Sequence, residues 1–216
     1  AFTSTGWSHC PQDWLTFPEA LKALKRKVKV FHDKMKRPVD GIGWLCGRTG
    51  DSPQILGGDL DCCRDPETGF ISPWATDFLQ QVKPFYAEVS PSKGGIRFFS
   101  WGRLPGGRDK VFGNGPQDDL PEETRKRILD AKPKAKEKLA MNKPAFNGLE
   151  FYETGRHLTL TGERLDEYCF IKEDATTTLT QVLAPFAAAE KPAAKKTKKG
   201  NSSLPTFDIR DVINCN

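Results

Sequence analysis

Two aspartates separated by one leucine, Asp59-Leu60-Asp61, follow a pair of glycines inside an apolar run from Ile55 to Cys62. A run of that length, bounded by turn residues, reads as a strand. Strand alternation puts Asp59 and Asp61 on one face and Leu60 on the other, with the carboxylates about 7 Å apart. Two like charges so placed are costly unless something positive lies between them. A pair of divalent cations is one answer: Mg²⁺ and Mn²⁺ prefer carboxylate oxygen and keep positions open for water and phosphate. The other answer is local, with one aspartate capping a turn and the other pairing with Arg64. Gly57 and Gly58 let the backbone bend or be closely approached. A two-metal site needs a third acid. Glu150 is the best candidate, because it stands in Leu149-Glu150-Phe151-Tyr152 with apolar neighbours on both sides, where a carboxylate does not serve stability. Its alternative is a sheet edge facing water.

The elements around these acids are short and mixed. Thr16, Pro18 and Glu19 cap a helix expected over residues 16–31, with Phe17, Ala20, Leu21, Leu24 and Val28 at helical spacing. Residues 41–46 and 55–62 read as a hairpin with a long tip. Ser72 and Pro73 open a second helix, with Trp74, Phe78 and Val82 on one face. Residues 86–89 and 96–101 are strand candidates. Residues 103–119 have no clear period. Residues 121–140 read as a helix broken or kinked at Pro133. Residues 149–152 and 157–161 read as a hairpin turning at Glu153-Thr154-Gly155, and residues 176–189 as a short helix. One domain is therefore expected over 1–189. A disordered basic linker is expected over 190–203, where five lysines and no large apolar residue occur. Residues 204–216 regain apolar periodicity and read as the start of a further element.

Charge and cysteine content narrow the class. The chain carries 33 basic and 28 acidic residues, a net charge of +5 that permits a polyanionic partner. Residues 22–37 hold eight basic residues and one acidic, and residues 121–143 eight against four. The first run is either a solvated helix face or a phosphate-backbone footprint. Ser90-Pro91-Ser92-Lys93-Gly94-Gly95-Ile96-Arg97 brings hydroxyls, glycines and two cations into eight residues, which suits either a triphosphate cradle or an ordinary charged turn. It is not a Walker A loop, and no Rossmann G-x-G-x-x-G follows a strand. No run of 18 apolar residues exists and the first residues have no signal-peptide pattern, so a soluble cytoplasmic protein with no membrane partner is expected. The six cysteines include no C-x-x-C pair and the three histidines lie far apart. Reduced thiols are expected, and a structural zinc site is not.

These stretches, in this order, resemble the primase–polymerase domain of the archaeo-eukaryotic primase superfamily, in the form found in phage, plasmid and other mobile-element replication proteins. Trp14-Leu15-Thr16-Phe17 with Glu19-Ala20-Leu21 is similar to the family's first helix, and Asp40-Gly41-Ile42-Gly43-Trp44 to the strand before the acidic one. Asp59-Leu60-Asp61, followed by Cys63-Arg64-Asp65-Pro66-Glu67-Thr68-Gly69, resembles the first catalytic motif. Glu88-Val89-Ser90-Pro91-Ser92 with Gly95-Ile96-Arg97-Phe98-Phe99 resembles the second. Leu149-Glu150-Phe151-Tyr152, Gly155-Arg156-His157 and Thr159-Leu160-Thr161-Gly162 resemble the third. Lys93 stands where the family often has glycine, Arg97 where it has histidine, and His157 where it often has tyrosine.

The resemblance implies an α/β (α+β) fold in which an antiparallel, RRM-like catalytic palm packs against a smaller α/β half. It implies a DNA primase or DNA polymerase in which Asp59, Asp61 and Glu150 hold two Mg²⁺ or Mn²⁺ ions. Ser90, Ser92, Lys93, Gly95 and Arg97 would bind the nucleotide's triphosphate, with Arg156 and His157 in the same pocket. The implied partners are a single-stranded DNA template with its primer, nucleoside triphosphates, and a helicase domain C-terminal to this chain. The alternative is a non-catalytic RRM-like binding module, using Phe98, Phe99 and Trp101, or a replication-initiator nuclease.

Overall fold

The structure, a computed structural model, describes residues 15–27, 29–32, 35–38, 41–47, 53–168 and 173–187. The expected linker and the C-terminal element lie outside the described residues, as do Trp14 and Asp40.

The first helix, α1 (Phe17–Lys25), starts as the sequence predicts: the Thr16 amide donates to Glu19 at 2.8 Å, and Pro18 stands in the first turn. It ends earlier than residue 31. Lys27 takes a left-handed backbone (φ 48°), and the β-branched and aromatic residues beyond it favour a ladder over a helix. They form a small hairpin, β1 (Lys29–His32) with β2 (Met35–Pro38).

Next come β3 (Ile42–Cys46), β4 (Gln54–Asp61), α2 (Pro73–Val82), β5 (Tyr86–Val89) and β6 (Ile96–Gly102). Helix α2 is capped twice, by Ser72 Oγ accepting from the Ala75 amide and by Asp119 accepting from the Trp74 amide. β7 (Lys110–Asn114) falls in the stretch without a period. It is a sheet edge that buries only Val111, so its sequence carries almost no alternation. The expected helix with a break is two helices, α3 (Glu122–Ala131) and α4 (Pro133–Ala140), meeting at Lys132. β8 (Gly148–Tyr152), β9 (Arg156–Leu160) and α5 (Thr176–Ala187) follow.

Five strands form one antiparallel sheet in the order β5-β6-β4-β8-β7. The inner order β5-β6-β4-β8, with α2 joining β4 to β5, is that of a split β-α-β arrangement. Two expected hairpins do not form. β3 pairs with β9, not β4, and β9 therefore does not pair with β8. The chain after β8 is held at the β7 side, where the amides of Glu153 and Thr154 both donate to Asp109 O. Gly155 then turns with φ 73°, and β9 leaves the sheet to lie beside β3 as a separate ribbon.

Leu56, Leu60, Phe98, Leu149 and Phe151 face α2 and α5 and form the main core with Ala75, Phe78, Leu79, Leu179 and Leu183. Gly58 is in this layer because a Cβ there would overlap the Phe98 ring. A second, smaller cluster, Cys62, Leu120, Ile128, Ala135, Ala145 and Phe146, seats the α3–α4 pair beyond the end of β4. Among the described residues, no helix is long and apolar enough to cross a membrane. Cys46, Cys62 and Cys63 are free thiols, and burial pushes those of Cys46 and Cys62 up to about 12. The mixed α/β class with antiparallel sheets is as expected.

Candidate active site

The opposite face of the sheet carries the charges. Register aligns one residue from each strand in a single row: Glu88 on β5, Arg97 on β6, Asp59 on β4, Glu150 on β8 and Phe112 on β7. Asp61 lies two residues further along β4 on the same face. The three expected acids thus share one face at the sheet centre. Glu150 is not at a sheet edge, since β8 runs between β4 and β7.

The β3–β9 ribbon covers part of this face. Leu158 and Cys46 press on Gly57, where a Cβ would come within 2.6 Å of Leu158 Cδ1 and 2.7 Å of Cys46 Sγ. The two glycines before the acids therefore serve close approach on opposite faces. Asp59 is buried more than its neighbours: its side chain keeps 16% of its exposure, against 38% for Asp61 and 39% for Glu150.

Each acid has its own cation. Arg97 Nε lies 3.8 Å from Asp59 Oδ1, while Arg97 Nη1 donates to Thr159 O at 2.6 Å. Lys132 Nζ donates to Asp61 Oδ1. Glu150 Oε2 accepts from Tyr152 Oη at 2.8 Å and lies 3.6 Å from Arg156, whose guanidinium sits over the Tyr152 ring. The local pairing of an aspartate with Arg64 is not what forms, since Arg64 donates to Lys93 O at 2.9 Å.

Asp59 is the most perturbed acid. Burial, reinforced by the charges of Asp61 and Glu150 and opposed by Arg97 and Lys132, raises its pKa to about 6. Its Oδ1 is buried and accepts no hydrogen bond. Burial works against the Lys132 ammonium, but the charge of Asp61 and their hydrogen bond hold its pKa above the usual lysine value. Burial, and then the bond to Glu150, push the Tyr152 hydroxyl up.

The expected phosphate loop divides. Ser92 and Lys93 are exposed, with Lys93 in a left-handed turn (φ 59°). Ser90 and Gly95 are buried; the two serine hydroxyls lie 3.1 Å apart, and Gly95 is pressed onto the Leu60 carbonyl. Arg97 stands away from this loop, in the row of acids. Arg156 faces the acids. His157, one residue on, is on the ribbon's other face with its ring over Gly43, and burial, then Arg156 and Arg97, hold its pKa below the usual value. Of the three aromatics of β6, Phe98 lies in the core while Phe99 and Trp101 share the acid face, and Phe99 is itself buried.

Two buried acids frame the site without joining it. Glu88 accepts from Tyr86 Oη and from the amides of Thr161 and Gly162, which ties the segment after β9 to the sheet. Asp65 accepts from Arg127, Thr124 and the amides of Glu67 and Thr68. Burial opposes ionisation there, but these donors hold the Asp65 carboxyl well below the usual range. Sequence reasoning missed Lys132 and assigned Tyr152 no role. The signal for Lys132 was its place before Pro133, which disfavours helix and turns that one residue out of the α3–α4 run.

The donor set is all oxygen, the kind that Mg²⁺ and Mn²⁺ take, and Asp59 Oδ1, though beside Arg97, accepts no hydrogen bond within the protein. Among the described residues no three His, Cys, Asp or Glu side chains converge on one point, because Asp61 and Glu150 are turned to Lys132 and to Tyr152 with Arg156. The three acids share one sheet face, and their side chains are paired internally. Compared with models of known protein families and with curated proteins, the chain matches none.

Proposed function

We propose that this chain is a template-directed nucleotidyltransferase, a DNA primase or DNA polymerase of the primase–polymerase kind. Its substrates are nucleoside triphosphates and a single-stranded DNA template with a primer. The observation that carries this reading is the placement of Asp59, Asp61 and Glu150 on the one sheet face not packed by helices, with Asp59 and Glu150 as direct cross-strand partners. The strand order β5-β6-β4-β8 supports the RRM-like palm that the resemblance implies.

In this reading Asp59, Asp61 and Glu150 hold two Mg²⁺ or Mn²⁺ ions, whose chemistry is to acidify the attacking 3′-hydroxyl and neutralise the pyrophosphate that leaves. The protein's own groups do the rest. Arg97 balances the charge of Asp59 and orients it through its second bond to Thr159 O. Tyr152 holds Glu150 by one oxygen. Lys93 and Ser92, exposed at the loop tip, reach the triphosphate, and Arg156 flanks it. The exposed lysines of α3 and α4, Lys126, Lys134, Lys136 and Lys138, carry the template backbone.

An RNA-recognition-type binding platform fits less well, because Phe98 and Phe99 are not available to stack on bases. The test is nucleotide incorporation on primed and unprimed single-stranded DNA with Mn²⁺. Asp59→Asn, Asp61→Asn and Glu150→Gln should each lower it at least a hundredfold while the circular dichroism is kept. No incorporation by the folded wild-type chain, or full incorporation by the three variants, overturns the reading.

A further inference from the structure

Lys132 has an unusual setting for a lysine. It stands between α3 and α4, with extended φ/ψ of −130° and 88°, because Pro133 disfavours the helical conformation at the residue before it. The extended residue directs the side chain out of the helix pair. Its stem runs along Gly94 of the 90–95 loop, and its ammonium ends on Asp61. Only 15% of the side chain is exposed, so this is not a solvated surface lysine. The α3–α4 pair is itself fastened to the loop after β4 through Arg127 on Asp65 and through the Ile128–Phe146 cluster. The lysine is thus delivered to the acid by a rigid support.

We infer that Lys132 is the resident counter-ion of Asp61, a positioning residue that a divalent cation must displace before the acids can share it. The inference rests on the metal reading of Asp59, Asp61 and Glu150. Asp61 and Asp59 are like charges on one strand face and need a positive partner to coexist. Arg97 is held by Thr159 and serves Asp59, which leaves Lys132 to serve Asp61. An ammonium and a metal ion compete for the same carboxylate, and a cation that stays close repels the ion as well. Once displaced, the ammonium remains beside Gly94, next to Lys93 and Ser92, where the nucleotide's phosphates are proposed to lie.

The probe is Mn²⁺ alone, without nucleotide or DNA, titrated calorimetrically into the full chain. Lys132→Met, which keeps the stem against Gly94, and Lys132→Gln should each bind Mn²⁺ at least tenfold more tightly than wild type. Lys132→Arg should stay near wild type. A merely structural role would leave the affinity unchanged. As a second readout on the unmutated chain, the Lys132 ammonium signal in ¹⁵N-lysine NMR should shift as Mg²⁺ is added and saturate with it. Unchanged or weaker Mn²⁺ binding in folded Lys132→Met and Lys132→Gln, or an ammonium signal indifferent to saturating Mg²⁺, overturns the inference. Asp61→Asn separates the two levels. If it weakens Mn²⁺ binding while the lysine variants do not alter it, the metal site stands and the role of Lys132 falls. If Asp59→Asn and Asp61→Asn leave Mn²⁺ binding as it was, or neither wild type nor the lysine variants bind it, both fall.

Discussion

Replacing Asp59 by asparagine should make the metal-free protein more stable, not less. Asp59 has a pKa raised to about 6 from 3.8, chiefly by burial. The folded state therefore holds the proton more tightly than the unfolded chain does. That contribution favours folding below pH 3.8, is lost as pH rises from 3.8 to about 6, and stays lost above it. Each tenfold change in proton affinity is worth about 1.4 kcal/mol, so the ionised Asp59 costs about 3 kcal/mol at pH 7.5. Asparagine is a neutral stand-in of the same shape, so Asp59→Asn should recover most of that sum. With a urea slope of about 2 kcal/mol per molar, the midpoint should rise by about 1–1.5 M. The assay is urea unfolding in chelator at pH 7.5 and pH 4.5, with the gain shrinking strongly at the lower pH. Mn²⁺ at a hundred times its dissociation constant should cancel most of this gain, since the ion stabilises only wild type, by about 2.7 kcal/mol. A variant no more stable than wild type at pH 7.5, or a gain that does not depend on pH, would refute the role given to burial.

Other perturbations separate the site from its frame. Asp65→Ala removes the acceptor that Arg127, Thr124 and two amides share; it should cost about 3 kcal/mol in urea unfolding. Gly58→Ala puts a methyl group into the Phe98 ring and should destabilise by about 3 kcal/mol, read by thermal melting, with no change in the charge of the site. Arg97→Ala leaves Asp59 without its cation and should lower incorporation about tenfold to a hundredfold, through kcat more than KM, with template affinity nearly unchanged in a parallel binding assay. His157 has a lowered pKa, so its contribution to stability is present above pH 6.5 and lost as pH falls; His157→Gln should flatten that acid limb in melting curves from pH 7.5 to 5.5.

Much of the site was legible as a pattern of two. Alternation alone puts Asp59 and Asp61 on one face and Leu60 in the core, and an isolated glutamate among Leu149, Phe151 and Tyr152 stands out because an apolar strand has no other use for it. Caps were legible for the same local reason: Thr16 with Glu19, and Ser72 with Pro73, act within one helical turn. Pro133 marked the break between α3 and α4, because a proline disfavours helix at the residue before it. Partners were not legible. Neighbouring strands in the chain were expected to pair, but two backbone hydrogen bonds from Glu153 and Thr154 to Asp109 swing β9 away and hand it to β3. That ribbon then presses on Gly57, two residues before Asp59, and the charges that act on Asp59 come from Arg97, Lys132 and Glu150, contacts between segments far apart in the chain. Lys132 is the same case: its place before a proline was visible, but its bond to Asp61 across 71 positions depends on how the α3–α4 pair seats on its own small core. Residue type and spacing determine which face a side chain takes, because that geometry is local. Which charge meets which is decided only when distant strands and helices close on one another.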